Sequence, residues 1–164
     1  MADRISAAEA TDTSEVIAAR RRIGHAWAMT TSPTLDTPGL HALVPLAATF
    51  GLRVASAAPA EVRLELDHRA DLCTAGGVLH GGALMSLADT AGAVCAFLNL
   101  PAGASTTTVE SKTNLLAAIR GGTVTATATP LHAGSSLIVV ETELRRDDGR
   151  LAAKTIQTQA VLRG

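Results

Sequence analysis

A single carboxylate interrupts the most apolar stretch of this 164-residue sequence. Within residues 83–98 the other clearly polar side chains are those of Ser86 and Thr90, and Asp89 lies near the middle. Burying a carboxylate is costly unless the group is paired, protonated or open to a wet cavity. One interpretation is that Asp89 accepts hydrogen bonds from neighbouring hydroxyls and serves structure only. The other is a site carboxylate with a tuned pKa, suited to act as a base or a nucleophile.

The sequence His80-Gly81-Gly82 comes directly before this stretch. Glycines let a ligand approach the backbone closely, and the N–H groups and positive dipole at a helix start suit a developing oxyanion. The same glycines are also compatible with a simple tight turn, in which His80 fixes the helix start. An alternative nucleophile–base pair would be Cys73 with His80, although no third orienting residue follows at a readable spacing.

The composition excludes several classes of function. The formal net charge is -1, only 2% of the residues are aromatic and tyrosine is absent, which argues against nucleic-acid binding. Two cysteines and five histidines show no metal-binding spacing, so neither a metal nor another cofactor is expected. The N-terminus lacks an apolar run behind a basic start, and residues 83–98 are few for a bilayer span and carry Asp89. A soluble cytoplasmic protein without a membrane partner is therefore expected.

The elements around Asp89 predict an α+β fold. The segment after Gly82 is apolar nearly all round, which is typical of a buried helix. One alternating segment precedes it, and four strand-like segments with short turns follow it, at residues 61–67, 105–116, 121–134, 135–146 and 150–162. Asp148-Gly149 predicts a hairpin between the last two. We therefore expect a mostly antiparallel, five-stranded sheet wrapped around one central helix.

The first part of the chain differs from the rest. Asp12 and Glu15 resemble a capping box and predict a helix over residues 15–29, which prolines and a glycine then interrupt. Residues 1–36 are thus predicted to be an N-terminal extension, and residues 37–164 the main domain. Within the main domain, residues 39–51 predict one short helix.

The pattern G-x-x-HGG-x6-D-T-A from Gly77, followed by TTTVESKTNLLAAIRGG, resembles the hotdog-fold acyl-CoA thioesterases of the phenylacetate-pathway (PaaI-like) type. The resemblance runs from about residue 51 to residue 162. It implies a hotdog fold, pairing of two chains into a double hotdog, and hydrolysis of an acyl-CoA thioester to a free acid and CoA. Asp89 occupies the position of the catalytic carboxylate, and Gly81 that of the glycine whose N–H binds the thioester carbonyl. Thr108 matches a Ser/Thr position that holds the carboxylate or its water.

The resemblance also implies further contacts and shows two departures. His80 belongs to the same catalytic motif, and Thr74 stands where the family often has asparagine, so its hydrogen bond has a shorter reach. The pair Ala117-Ala118 replaces an Arg-Pro pair near the arm of the substrate. CoA is here part of the substrate and not a cofactor, and the residues expected to contact it are Gly82, Lys112 and Arg120.

The spacing between Gly81 and Asp89 has a consequence for assembly. Eight residues along one helix correspond to roughly 12 Å, too far for both groups to act on one thioester. Asp89 must then come from a partner subunit, so a homodimer is required and a tetramer of such dimers is plausible. Two other functions stay open: a non-catalytic acyl-CoA-binding or sensing protein, and an enoyl-CoA hydratase of the same fold.

Overall fold

The computed structural model describes residues 35–163. The helix predicted over residues 15–29, and most of the predicted extension 1–36, therefore lie outside the described residues. In chain order the elements are α1 (Thr37–Leu43), α2 (Pro45–Phe50), β1 (Arg53–Ala58), β2 (Glu61–Asp67), a 3₁₀ turn (Ala70–Leu72), α3 (Gly81–Leu98), β3 (Ser105–Leu115), β4 (Thr123–Ala133), β5 (Leu137–Arg146) and β6 (Leu151–Leu162).

The strands form one antiparallel sheet in the order β1-β2-β4-β5-β6-β3. The predicted α+β architecture, a sheet around one long helix, is confirmed, but the sheet has six strands and not five. The additional strand is β1, whose sequence RVASAA lacks the apolar alternation that marks a strand. The hairpin predicted at Asp148-Gly149 is confirmed, with Gly149 at a φ of 80° and Arg146 N–H donating to Arg150 O at 3.0 Å.

The helix α3 forms the centre of the core. Ten of its 18 residues are buried, and it contacts every strand of the sheet. On the strands the helix-facing positions alternate with outer ones, as in β2, where Val62, Leu64 and Leu66 are at most 1% exposed. By length and composition alone α3 could cross a membrane, but its packing inside the sheet is that of a core helix.

The prediction of one short helix over residues 39–51 is wrong, because two helices meet at Val44 and Pro45. Proline has no N–H and disfavours helical geometry in the residue before it, and Val44 accordingly has a φ of -131° and a ψ of 86°. Asp36 begins α1 by accepting a hydrogen bond from Gly39 N–H at 2.8 Å.

The helix-facing surface of the sheet is apolar on β2 and β4 and polar at one edge. On β6 the polar residues that face α3 are Thr155, Gln157 and Gln159, each at most 1% exposed. The edge strand β3 lies beside β6 and adds hydroxyl groups in the matching rows, with Thr108 opposite Gln159 and Ser111 opposite Gln157. Asp89 lies on the helix above this polar edge.

Candidate active site

Two side chains of the sheet hold the carboxylate of Asp89 by the same oxygen. Thr108 Oγ1 donates to Asp89 Oδ1 at 3.5 Å, and Gln157 Nε2 donates to the same oxygen at 3.3 Å. Gln157 Nε2 also lies 3.4 Å from the main-chain oxygen of Asp89. The second carboxylate oxygen, Oδ2, accepts no hydrogen bond from residues 35–163. The structure therefore anchors one oxygen and leaves the other available.

The surroundings raise the pKa of Asp89 above its usual value. The main cause is burial, which disfavours the charged form, and hydrogen bonds from Thr108 and Gln157 oppose it in part. A half-buried carboxylate of raised pKa can take up a proton more readily than a solvated one. This is the electrostatic character that a general base needs.

A chain of hydrogen bonds fixes the direction in which Thr108 donates. Thr106 Oγ1 lies 3.1 Å from Gln159 Oε1, and Gln159 Nε2 donates to Thr108 Oγ1 at 2.8 Å. Because Thr108 Oγ1 accepts this bond, its own proton is free to point to Asp89. The sequence-based prediction missed both Gln157 and Gln159. The only signal was a period-two run of polar residues in β6, which does not indicate which face of the sheet they occupy.

The start of α3 presents one N–H group without an acceptor. His80 is the N-cap residue, and its Nδ1 accepts a hydrogen bond from Gly82 N–H at 2.9 Å, while Ala83 N–H donates to His80 O at 2.9 Å. Gly81 N–H has no acceptor among residues 35–163. A Cβ atom at Gly81 would lie 2.6 Å from Leu115 Cδ1, so the absence of a side chain here lets Leu115 pack against the helix start.

The structure places the predicted site residues in separate groups. Thr108 lies at Asp89, whereas His80, Gly81 and Gly82 lie at the helix start, roughly 12 Å away by the helical rise. Thr74 is exposed in the turn that precedes α3, where its main-chain N–H donates to Val78 O at 2.8 Å.

The two basic residues predicted to contact CoA do not lie together. Lys112 is opposite Ile156 in the β3–β6 ladder, and both point away from α3 because the neighbouring Gln157 faces it. Arg120 lines an open cavity of about 520 Å³ between the β3–β4 and β5–β6 connections. The other lining residues are Ala117, Ala118, Gly121, Arg146, Asp147 and Arg150.

The alternative pair of Cys73 with His80 is wrong. The imidazole beside Cys73 is that of His68, with Nε2 at 3.1 Å from Sγ, and the thiol donates to Arg69 O at 3.0 Å. Nδ1 of His80 instead accepts the hydrogen bond that caps α3. Burial raises the pKa of the Cys95 thiol to about 11, so this second cysteine is a core residue and not a nucleophile. Within residues 35–163 no three His, Cys, Asp or Glu side chains are grouped to hold a metal ion.

Residues 76–153, which include the helix start, Asp89 and most of the sheet, match the family described as the thioesterase superfamily. A provisionally assigned esterase of Saccharolobus solfataricus is 37% identical over 100 residues, which cover 61% of this chain and 71% of the relative. The 1,4-dihydroxy-2-naphthoyl-CoA hydrolase of Escherichia coli is 34% identical over 86 residues, 52% of this chain and 63% of that protein. A crystal structure of a thioesterase from Haemophilus influenzae superposes with a TM-score of 0.74 at 25% identity, covering 80% of this chain and 93% of that one.

Proposed function

This chain belongs to the thioesterase superfamily of hotdog-fold proteins, and we propose that it hydrolyses an acyl-CoA thioester to a free acid and CoA. The acyl-CoA part of the proposal rests on the sequence resemblance to the phenylacetate-pathway type. It is also supported by the relative from Escherichia coli, whose name specifies a CoA thioester as its substrate.

The observation that carries the proposal is the environment of Asp89. A carboxylate without a charged partner is half-buried in an apolar helix, anchored through Oδ1 and free at Oδ2. A purely structural role would be expected to engage both oxygens. Asp89 Oδ2 is therefore assigned as the atom that accepts a proton from water, or that attacks the thioester itself.

In the general-base route, a water oxygen forms a bond to the thioester carbon as Asp89 takes its proton. The resulting oxyanion accepts a hydrogen bond from Gly81 N–H, which lies at the positive end of α3. Collapse breaks the carbon–sulfur bond, and the sulfur leaves as the thiol after it recovers the proton from Asp89. In the nucleophilic route Asp89 Oδ2 forms a bond to the thioester carbon, the carbon–sulfur bond breaks and CoA leaves as the thiolate, and water then hydrolyses the resulting anhydride. Isotopically labelled water in a single turnover identifies this second route if label enters the Asp89 carboxyl group.

The separation of Gly81 from Asp89 requires two chains in each site. The edge strand β3 supports such a pairing, because its outer edge has no neighbouring strand among residues 35–163. Apolar side chains are exposed along it, with Val109 62% exposed and Leu115 53% exposed. A symmetric partner that covers this edge would bring its own Asp89 toward the start of the first chain's α3. Each homodimer then has two sites.

The cavity lined by Arg120, Arg146 and Arg150 is the proposed place for the phosphates of the CoA arm. It lies near the helix start, since Arg120 Nη1 is 3.4 Å from Gly76 O and Leu79 N–H donates to Ile119 O at 2.9 Å. Arg120→Ala should raise the KM for acyl-CoA about tenfold. The KM for acyl-pantetheine, which lacks the nucleotide, should stay unchanged. The matched control is Arg145→Ala, because the Arg145 guanidinium pairs with Glu143 at 2.7 Å and does not line the cavity.

Thiol release from a panel of acyl-CoA and enoyl-CoA substrates tests the function directly. A thioesterase releases thiol, a hydratase consumes the enoyl double bond, and a sensing protein binds but does neither. Asp89→Asn should reduce thiol release by about 10²- to 10⁴-fold while the oligomer persists in gel filtration. Near-normal turnover of this variant would overturn the assignment of Asp89.

A further inference from the structure

We propose that Gln157 is a positioning residue for this reaction, whose buried amide donates to Asp89 Oδ1 and thereby favours the ionised carboxylate. The inference rests on the proposed function, since it concerns the same carboxylate. It gives a residue of β6 a part in the chemistry, in addition to the residues in and before α3 that the sequence pattern identifies.

The first support is the pattern of donors and acceptors at Gln157. Its Nε2 donates to Asp89 Oδ1 at 3.3 Å and approaches the main-chain oxygen at 3.4 Å, so both contacts use the donor end of the amide. The acceptor end, Oε1, is buried without a partner. An unpartnered buried acceptor is costly, so this orientation is maintained only if the donor end gains more, as it does against a negatively charged carboxylate.

The second support is the close contact between Gln157 and Gly92, one turn beyond Asp89 on α3. A Cβ atom at Gly92 would lie 2.1 Å from Gln157 Oε1 and 2.5 Å from its Cδ. Glycine inside a helix costs about 1 kcal/mol relative to alanine, so its presence at this position needs a local cause. The missing side chain makes the space in which the amide lies flat against the helix. The glycine at position 92 thus lets the Gln157 amide approach α3 closely enough to donate to Asp89.

No other charged group competes for Asp89 in the described part of the chain. The helix-facing positions of β2, β4 and β5 carry apolar side chains or Thr142, and α2 has no titratable residue. On β1, Arg53 is paired with Asp67. The nearest charged residues of β3 and β6 alternate to the outer face of the sheet, and they are Glu110, Lys112 and Lys154. The other titratable residue within α3 is Cys95, which is a buried thiol. Within one chain, the ionisation of Asp89 is therefore set by burial and by neutral donors, of which Gln157 is fully buried. In the proposed dimer the start of the partner's α3, with the partner's His80, also approaches Asp89, and it is the same in every variant compared.

The test perturbs this contact from both sides. Gln157→Met keeps the length of the side chain and removes the donor, and Gly92→Ala keeps the amide and displaces it with one methyl group. In both variants the acidic limb of the pH profile of kcat/KM should move to higher pH. Loss of a hydrogen bond to a charged group corresponds to about a tenfold decrease in kcat/KM on the acidic side, with less than about a threefold change on the plateau. A merely structural defect would lower the whole profile evenly.

The matched control is Thr142→Val, which changes a buried polar residue on the same face of the sheet, one strand away, without contact to Asp89. Its profile should superimpose on that of the wild type. Titration of the Asp89 carboxyl carbon by NMR, assigned by comparison with Asp89→Asn, gives the same information without substrate. An unmoved titration in Gln157→Met and Gly92→Ala would overturn the role of Gln157. A chain that releases thiol from no acyl-CoA would instead overturn the proposed function, and the titration would still decide the role of Gln157.

Discussion

Replacing Gly81 by proline would delete one N–H group at a position where the fold tolerates the change. Gly81 is the first residue of α3, where proline is favourable, and His80 before it has the extended geometry that a residue preceding proline adopts, with φ -65° and ψ 138°. The added ring meets Leu115 at the Cδ1 end of its side chain, which a change of rotamer can move away. Loss of one oxyanion donor should reduce kcat by about 10²- to 10³-fold. Gly81→Ala, which keeps the N–H and adds the same Cβ, should retain most activity.

Combining Gly81→Pro with Asp89→Asn tests whether each site is shared between chains. If Gly81 and Asp89 of one site belong to different subunits, a heterodimer of the two variants contains one site with both defects and one intact site. Co-expression with two affinity tags isolates this heterodimer, and its thiol release per dimer should recover to roughly half of the wild-type value. A heterodimer that is no more active than either parent would refute the shared site. A wild-type protein that elutes as a monomer at assay concentration would refute it as well.

Three further predictions concern stability, each measured by urea unfolding. Asp89→Asn should become more stable relative to the wild type as pH rises from about 4 to about 8. The stabilisation of the wild type that is linked to the raised pKa of Asp89 is present at low pH and is lost as pH rises through the folded-state pKa. A difference in the free energy of unfolding that does not change with pH would contradict this. Hydrogen bonds from Arg53 and Thr123 lower the pKa of Asp67 from 3.8 to about 2. Asp67→Asn should therefore lower the free energy of unfolding at neutral pH, by less than about 1 kcal/mol because the pair of Arg53 and Asp67 is exposed. This loss should disappear as pH falls from 3.8 to about 2. Thr142→Val should raise the free energy of unfolding by about 1 kcal/mol, since the Thr142 hydroxyl is buried without a partner, and a loss of stability would indicate a partner for that hydroxyl.

The central helix and its carboxylate could be predicted from the sequence because their signals are local. An apolar segment of helical length, a glycine-rich start and an isolated Asp89 each stand out within a short window. The strands β2 and β4 could also be predicted from the sequence. In both strands apolar residues alternate with polar ones, as Val62, Leu64 and Leu66 do in β2. The edge strand β1 was not, because its small residues carry no contrast between its faces.

The role of β6 could not be predicted, because its pattern contradicts the usual direction of burial. Its apolar Ile156 lies on the outer face, while Thr155, Gln157 and Gln159 point to the helix. Which face is buried is decided by pairing with β5 and β3 across the sheet, and this information is not contained in β6 itself. The polar row is explained only when Asp89 is seen above it.

The contact of Gln157 with Gly92 supports the proposed activity and lowers the stability of the folded chain. A glycine within a helix and an amide oxygen without a donor each lower the stability of the folded chain. Alanine at position 92 cannot recover this stability while Gln157 is present, because its Cβ would lie 2.1 Å from Oε1 of that buried side chain. Selection for heat resistance, in the laboratory or in a hot habitat, is therefore expected to replace Gln157 first and Gly92 only afterwards. The variants that it recovers would be sturdier proteins in which Asp89 loses its charge at a higher pH.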